Sequence, residues 1–400
     1  MLTALDLFSG CGGLSLGMAQ VGINVLWANE FDDTAAATYR LAHPHTHLSH
    51  EDVRQFLARV RRKDEACPRP GEVDIVAGGP PCQGFSGYNR HRSVDDPRNS
   101  LVDVFLSFVQ HLKPRYVLME NVPGMLSLDK GEVTRKILAA FEELRYQTRL
   151  GILQAGYYGL PQNRWRVFMW AAAKGHTPPE FPEPTHAFIN TVVFGATQFR
   201  KHIIKPLTAE PGLFSRLRDM VTVGDAISDL PTLENGGRLD DVPYGSTPTS
   251  TYQERLRGAC DRVYDHAVKK LGTLMYRRCQ AVPRRPGAGW LDLPDELKPR
   301  NLMRHGDNRY DNRFGRLHAT GVFNTILSDA HPYWGRVIHP TSDRVISVRE
   351  AARAQGFPDS VRFAGRLTEK YRQVGNAVPP PLAAAILSGL AKEPHGGLHG

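Results

Sequence analysis

Two side chains with the means for chemistry stand at matching places in the sequence. Cys82 lies in Gly78-Gly79-Pro80-Pro81-Cys82-Gln83-Gly84-Phe85-Ser86, just after the apolar run Val73 to Ala77, and Glu120 opens Glu120-Asn121-Val122, just after Tyr116 to Met119. If both runs are parallel strands joined by one crossover helix, the thiol and the carboxyl emerge at the same edge of a sheet and face one crevice. A thiolate adds to electron-poor carbon and a carboxyl holds a proton, so the pair suits covalent catalysis assisted by an acid. A lone strand-end cysteine is more often a small buried apolar side chain. The Pro-Pro turn before it and the carboxyl on the next strand argue for the nucleophile. A free thiol titrates near ~8.5, so it needs activation, which nearby arginines supply. Gln162-Asn163-Arg164-Trp165-Arg166 follows a further strand and offers two cations at alternate positions, one for the reacting group and one to hold the loop.

A second constellation reads as a ligand site. The run Ala4 to Phe8 passes into Ser9-Gly10-Cys11-Gly12-Gly13 and then a helix opening at Leu14, so glycine falls where the backbone must turn tightly against a ligand. Ser15 stands where a dinucleotide fingerprint carries its third glycine, which disfavours a pyrophosphate and with it a nicotinamide-dependent oxidoreductase. Glu30 ends the second strand, where a carboxylate accepts from ribose hydroxyls. Asp52, after the expected third strand, is placed to accept from an adenine amino group, and Phe8 offers a stacking face. These donors and acceptors fit an adenosine without phosphates.

Elements of an α/β sheet must carry both loops. Ala4 to Phe8, Asn24 to Asn29, Val73 to Ala77, Tyr116 to Glu120, Thr148 to Leu153 and Val167 to Ala171 are expected strands of a parallel sheet. Leu14 to Val21, Thr34 to Leu41, Val53 to Arg61, Ser100 to Leu112 and Val133 to Leu144 are expected helices. The Pro-rich segment Thr177 to Pro184 marks a boundary. From Phe188 to Tyr333 periodicity is weak. Ser347 to Leu390 returns to a helical pattern, with Pro379 to Ala391 expected to pack back on the first domain.

Composition narrows the class of partner. The chain has 400 residues, 41% of them hydrophobic, enough for two ordinary domains. Lys and Arg number 50 against 41 Asp and Glu, a net charge of +9, with the excess concentrated between Glu254 and Arg316. Such a face attracts a polyanion, nucleic acid above all, although charge alone fits an ordinary solvated surface equally well. Five scattered cysteines form neither a disulfide framework nor a CxxC metal site, consistent with a reducing intracellular compartment. The amino terminus lacks a basic signal region and no stretch reaches the ~18 apolar residues that span a bilayer, so a protein that is neither secreted nor membrane-bound is expected. His43, His45, His47 and His50 read as loop residues, and no metal is expected.

Six segments in order then carry a resemblance: Asp6-Leu7-Phe8-Ser9-Gly10-Cys11-Gly12-Gly13-Leu14, the Pro-Pro-Cys-Gln loop, Glu120-Asn121-Val122, the Gln-x-Arg-x-Arg run, Arg349 to Pro358, and Gln373-Val374-Gly375-Asn376-Ala377-Val378-Pro379-Pro380. Together they resemble the ordered motif set of the DNA (cytosine-5) methyltransferases over most of residues 1–186 and 343–390. The resemblance implies a Rossmann-like S-adenosylmethionine-dependent methyltransferase sheet in a discontinuous catalytic domain, 1–186 and 343–394. It also implies a smaller target-recognition domain, 187–342, and a DNA cleft. Cytosine C5 is a poor nucleophile, and thiolate attack at C6 with protonation at N3 turns it into an enamine carbon. The resemblance supports Cys82 as that thiolate, Glu120 at N3, Arg166 at O2 and Arg164 in support.

The cofactor, S-adenosyl-L-methionine, is expected against Phe8, Ser9, Gly10, Gly12, Gly13, Leu14, Glu30, Phe31, Asp52, Val53, Pro81, Leu101, Asn376 and Val378. The partner is double-stranded DNA, with Gln83, Ser86, Tyr88, Arg90, Tyr310, Arg313, Tyr333 and Trp334 as expected contacts. Tyr88 is the candidate wedge that fills the gap left by a flipped base, with Arg90 beside it for the minor groove or a phosphate.

Within the family, Leu153 to Gly159, Phe181 to His186 and Trp290 to Pro294 look like the maintenance-type eukaryotic enzymes. Those larger proteins carry regulatory modules that are not expected in this chain, and their zinc site in the recognition domain is not expected either, since only Cys260 and Cys279 fall in that region. In those relatives the loop before Gly-Arg-Val presents Met, Lys and Gln to guanines. Here His331, Tyr333 and Trp334 stand at those places. Either the aromatics pack inside and leave readout to Arg309, Arg313 or Arg316, the reading favoured here, or they read a context other than CpG. The competing functions are the tRNA-methylating branch, which has Thr at the place of Ser86 and a Cys-Phe-Thr motif absent here, and a catalytically silent DNA-binding subunit. The expected location is the nucleus in a eukaryote and otherwise the nucleoid.

Overall fold

A computed structural model describes residues 1–81, 100–189, 197–206, 217–303 and 312–391. Contacts divide the chain into two compact units. The first comprises Met1–Tyr158, Trp165–Arg218 and Val378–Gly400, and the second Gly159–Arg164 and Asp219–Ala377. These boundaries differ from the expected split at 186 and 343, because the segment 343–377 makes its contacts within the second unit.

In the first unit the chain runs β1 (Thr3–Leu7), α1 (Gly13–Gln20), β2 (Asn24–Asn29), α2 (Asp33–Ala42), β3 (His47–Ser49), α3 (Val53–Arg62), β4 (Ile75–Gly78), α4 (Ser100–Leu112), β5 (Tyr116–Asn121), α5 (Glu132–Glu143) and β6 (Tyr146–Gln154). After β7 (Gln162–Asn163), which pairs with Phe323–Asn324 in the second unit, β8 (Trp165–Ala173) completes the main sheet. Its seven strands lie in the order β3-β2-β1-β4-β5-β8-β6.

The apolar runs became strands because parallel strands bury both faces. All four residues of β4 are buried, as are all but the last of β8. The helices bury one stripe each: Val53, Phe56, Leu57 and Val60 of α3 face inward, while Arg59, Arg61 and Arg62 occupy its last turn, where they favour the helix dipole. The expectation of a wholly parallel sheet needs correction at one strand. β8 runs antiparallel to both β5 and β6. Between β6 and β8 lie only a 3-10 turn at Ala155–Tyr158 and β7, with no crossover helix to return the chain in the parallel sense. Helix Pro380–Ala391 packs on α1, where a Cβ at Gly17 would stand 2.4 Å from the Ala383 Cβ and 2.8 Å from the Pro380 carbonyl oxygen. No helix among the described residues is long and apolar enough to cross a membrane.

The second unit contains α6 (Val223–Ile227), α7 (Thr251–Arg257), α8 (Thr273–Ala281), α9 (Arg300–Met303), α10 (Val348–Ala354) and α11 (Leu367–Asn376), with two-stranded pairings between them. Buried ion pairs hold it together. Arg344 forks onto Glu350 with bonds of 2.8 and 2.7 Å. Arg353, fully buried on α10, binds the buried carboxylates of Asp229 and Asp359. Removing one partner of such a cluster leaves uncompensated buried charge, which costs about 3–5 kcal/mol. Arg353→Met is therefore expected to lower the urea midpoint of the second unit by a corresponding amount, and an unchanged midpoint would show the pairs to be energetically idle.

Candidate cofactor and catalytic site

Because β1, β2, β4 and β5 are mutually parallel, the loops that follow them leave from one edge of the sheet. From β1 the chain steps outward to β2 and β3 and then crosses back to β4, so the two central strands send their loops in opposite directions and open a crevice between them.

The loop after β1 turns through left-handed conformations at Phe8, Gly10 and Gly12, with φ of 58°, 56° and 88°. Gly12 is required twice over: its φ is strained for any other residue, and a Cβ there would meet His43 Nε2 at 2.4 Å. His43 stacks on Tyr39 with centroids 4.5 Å apart, and its Nε2 lies 3.1 Å from the Gly12 carbonyl oxygen. Burial lowers its pKa, so it supports the loop as a neutral ring. His47, expected in a loop, lies in β3, and no group of three His, Cys, Asp or Glu able to hold a metal occurs among the described residues.

Glu30 is fixed by backbone donors. Gly10 N donates to Oε2 at 2.8 Å, while Phe31 N and Asp32 N donate to Oε1 at 2.9 and 2.7 Å. Burial raises its pKa, and these three N–H groups act in the opposite direction. Oε2, with one of these donors, keeps capacity to accept from a ligand hydroxyl. Asp52 caps α3, accepting at Oδ1 from Arg54 N at 2.8 Å. Ser9 donates its hydroxyl to the Asn29 carbonyl oxygen at 3.2 Å. Leu14, Val53 and Val378 are buried, Pro81 and Leu101 half-buried, and Phe31 is 72% exposed. Asn376 is exposed and belongs to the second unit. Carboxylates follow β2 and β3, which suits the hydroxyl and amino donors of an adenosine and repels phosphates.

Beneath this loop lies a group to which the sequence reading assigned no role. Asp6 of β1 is 1% exposed and accepts at Oδ2 from the Ser15 hydroxyl at 2.6 Å, while Ser15 Oγ lies 2.8 Å from the Tyr39 hydroxyl. Its Oδ1 is buried with no hydrogen-bond partner among the described residues. Burial pushes the carboxyl up to about 7, the Ser15 hydroxyl opposes this, and Glu30 adds to the rise. A strand carboxyl in a motif offers no sign of this in sequence, because the burial comes from α1 and α2 folding over it.

The nucleophile candidate Cys82, with Gln83, Ser86, Tyr88 and Arg90, lies outside the described residues, as do Arg309 and Tyr310. What anchors the Cys82 loop is described. Asn121 Nδ2 donates to the Pro80 carbonyl oxygen at 3.3 Å, and Asn121 Oδ1 accepts from Val122 N at 2.8 Å. Asn121 is thus a positioning residue that sequence reasoning passed over. In register, Gly78 of β4 pairs with both Leu7 of β1 and Met119 of β5, so the loop leaves beside Glu120. A Cβ at Gly79 would come within 3.0 Å of Glu120 Oε2.

Arg166 Nε meets Glu120 Oε1 at 2.9 Å, with side-chain exposures of 11% and 13%, and Arg166 Nη1 donates to the Trp165 carbonyl oxygen at 2.8 Å. Burial lowers the arginine's pKa and Glu120 works against it. Arg164 has different company. Fully buried in the second unit, it donates to the carbonyl oxygens of Ile326 (3.2 Å), Gly375 (3.1 Å) and Ala377 (2.9 Å). Of the described thiols, burial pushes Cys11 and Cys279 up to about 12, which leaves both inert near neutral pH.

The recognition candidates of the second unit separate. Arg313 is 7% exposed, donates to the Tyr333 carbonyl oxygen at 2.6 Å and lies over the rings of Tyr333 and Trp334. Arg316 is 1% exposed and binds five acceptors, four of them backbone carbonyls. Both guanidinium groups, expected among the base readers, are thus engaged with acceptors inside the second unit. Tyr333 packs edge-on against Phe314 and accepts from Asn301 at 2.6 Å. Trp334, by contrast, is 45% exposed.

The family model of the C-5 cytosine-specific DNA methylases matches residues 2–392. DNA (cytosine-5)-methyltransferase 1A of rice, Oryza sativa subsp. japonica, is 39% identical over 429 aligned residues. DNA (cytosine-5)-methyltransferase 1 of the mouse, Mus musculus, is 37% identical over 456. Each alignment covers 96% of this chain and 28% of the relative, so the chain spans little more than a quarter of the length of these proteins. Among solved structures, a prophage-encoded E. coli protein assigned as a DNA modification methyltransferase superposes with a TM-score of 0.68 and 26% identity, covering 98% of both chains.

Proposed function

Given that the chain belongs to the C-5 cytosine-specific DNA methylase family, we propose that it transfers the methyl group of S-adenosylmethionine to C5 of cytosine in double-stranded DNA. The observation that carries this reading is Glu120 held by Arg166 on the sheet edge from which the Gly79-Pro80-Pro81 loop leads to Cys82. The cofactor fits the residues present: Glu30 would accept from its ribose, Asp52 would accept from its adenine amino group, Phe8 would stack, and the Gly10–Gly13 turn would leave room for its amino-acid portion. When bound it supplies an electrophilic methyl group.

The protein's own groups do the rest. Cys82 adds as thiolate to C6, the ring electrons move to N3, and Glu120 holds the proton there, so that C5 becomes nucleophilic. Arg166 keeps the Glu120 carboxyl in place through Nε and has Nη2 for the base O2. After transfer, water takes the C5 proton, the electrons of that C–H bond re-form the C5–C6 double bond and expel the Cys82 thiolate, and N3 returns its proton to Glu120. Cytosine C6 is inaccessible in a stacked duplex, so the base must flip, with Tyr88 as wedge, Arg90 on the backbone, Gln83 and Ser86 on the nucleophile's loop, and Tyr310 stacking near the displaced base. The first unit is the catalytic one and the second recognises the target.

A DNA substrate puts the place of work in the nucleus of a eukaryote and otherwise at the nucleoid. The test is transfer of labelled methyl to duplex DNA and to tRNA with the product base identified. 5-Methylcytosine in DNA supports the reading, label in tRNA alone selects the RNA-methylating branch, and no label in either selects a silent DNA-binding subunit. Within an active enzyme, Trp334→Ala is expected to change the sequence profile flanking methylated cytosines, because Trp334 is the exposed ring of its loop. An unchanged profile by base-resolved sequencing would remove this loop from the recognition surface.

A further inference from the structure

Asp6 is a buried carboxyl with no cation beside it among the described residues. Oδ2 accepts from the Ser15 hydroxyl at 2.6 Å, Ser15 continues to Tyr39 at 2.8 Å, the Ser15 backbone N–H also favours the ionised carboxyl, and Oδ1 is buried with no hydrogen-bond partner among the described residues. An ionised carboxylate in that setting needs a positive charge or further donors, whereas a neutral acid does not. The hydroxyl chain serves both forms. With Asp6 ionised, Tyr39 donates to Ser15 and Ser15 to Asp6. With Asp6 protonated at Oδ2, the direction reverses: Oδ2 donates to Ser15 and Ser15 to Tyr39.

The groups facing Asp6 from its surroundings are few. Glu30, after β2, adds negative charge, α2 brings the Tyr39 phenol, and the residue that caps α2, His43, stands behind it as a neutral ring. Strands β2 and β4, helix α1 and helix Pro380–Ala391 contain no charged residue. Among the described residues no cationic group approaches Asp6, so a cationic ligand on the loop above would add the charge they do not supply.

We propose that Asp6 is a charge-sensing positioning residue under the cofactor loop: it holds a proton while the site is empty and releases it to solvent when a cationic methyl donor binds. The inference rests on the cofactor reading above. Binding then breaks the Asp6 O–H bond, the proton appears in the buffer, and the carboxylate left behind, on the strand that leads into the cofactor loop, would offset the donor's positive charge. The demethylated product lacks the sulfonium charge, so it draws out less of the proton and gains less from it. The site would thereby favour donor over product without any contact to the methyl group. Burial has already brought the carboxyl up to about 7, which sets the pH range in which the effect is visible.

The sign follows from linkage. A ligand that prefers the ionised form releases a proton, so its affinity rises with pH, by up to about tenfold per pH unit below the midpoint, and levels off above it. The experiment is calorimetric titration of the full chain with S-adenosylmethionine and with S-adenosylhomocysteine, in buffers of different ionisation enthalpy between pH 5.5 and 8.5, subtracting the titration of each free ligand's amino group. Expected are proton release and a pH-dependent affinity for the donor, both weaker for the product. In Asp6→Asn, which mimics the neutral acid, the pH dependence disappears and the two ligands bind with closer affinities. Ser15→Ala keeps the carboxyl but removes its donor, and moves the midpoint to higher pH. Equal proton release with both ligands, or none with either, overturns the proposal while leaving the cofactor site intact. Binding of neither ligand overturns the cofactor reading, and the proposal with it.

Discussion

Replacing Cys82 by Ala is expected to bring DNA methylation down to background while leaving the binding of S-adenosylmethionine unchanged. The thiolate is the only group in the proposed reaction that makes C5 nucleophilic, so without it the ring stays electron-poor and the methyl group has no acceptor. Of the remaining thiols, Cys11, Cys67 and Cys279 are buried, and burial raises the pKa of each, while the half-buried Cys260 lies in the second unit with its Sγ donating to the Arg262 carbonyl oxygen at 3.2 Å. Methylation of DNA by Cys82→Ala at near the parental rate would remove the covalent step from the mechanism.

Glu120→Gln should lower turnover by roughly 10²–10⁴, the contribution of general acid catalysis, with cofactor affinity unaltered. The amide keeps the shape beside Gly79 and can still accept from Arg166, so positioning survives and proton delivery does not. Glu120 and the cofactor carboxylate Glu30 leave from different strands, β5 and β2, which is why the two effects should separate. A large loss of cofactor binding with unaltered single-turnover chemistry would instead move Glu120 into the cofactor site.

Most of the first unit could be read from its sequence because its strands are buried on both faces and leave continuous apolar runs, as in β4 and β8. The direction of β8 could not, since it depends on the short link from β6 and not on side-chain pattern. Glu30 was legible from its place after β2, and the hydrogen bond from Gly10 gives the physical content of that spacing. The second unit was opaque for another reason. Its cohesion comes from pairs such as Arg353 with Asp229, 124 residues apart, and such pairs leave no periodic trace. The same holds for Arg313 and Arg316, basic residues that look like DNA contacts in a charged stretch yet turn inward to carbonyl oxygens. Asp6 and Asn121 stood inside motifs recognised at the outset, but their roles depend on Ser15, Tyr39 and Pro80 arriving from other elements.

The central claim, cytosine activation by covalent attack from Cys82, is tested most directly by incubating the protein with S-adenosylmethionine and duplex DNA bearing 5-fluorocytosine, then mapping any adduct by peptide mass. Fluorine at C5 cannot leave as a proton does, so the account predicts a stable protein–DNA complex whose cross-linked peptide contains Cys82 and whose base has gained a methyl group. Methylation of ordinary cytosine in the same preparation, with no adduct on the fluorinated duplex or with an adduct at another residue, would contradict it.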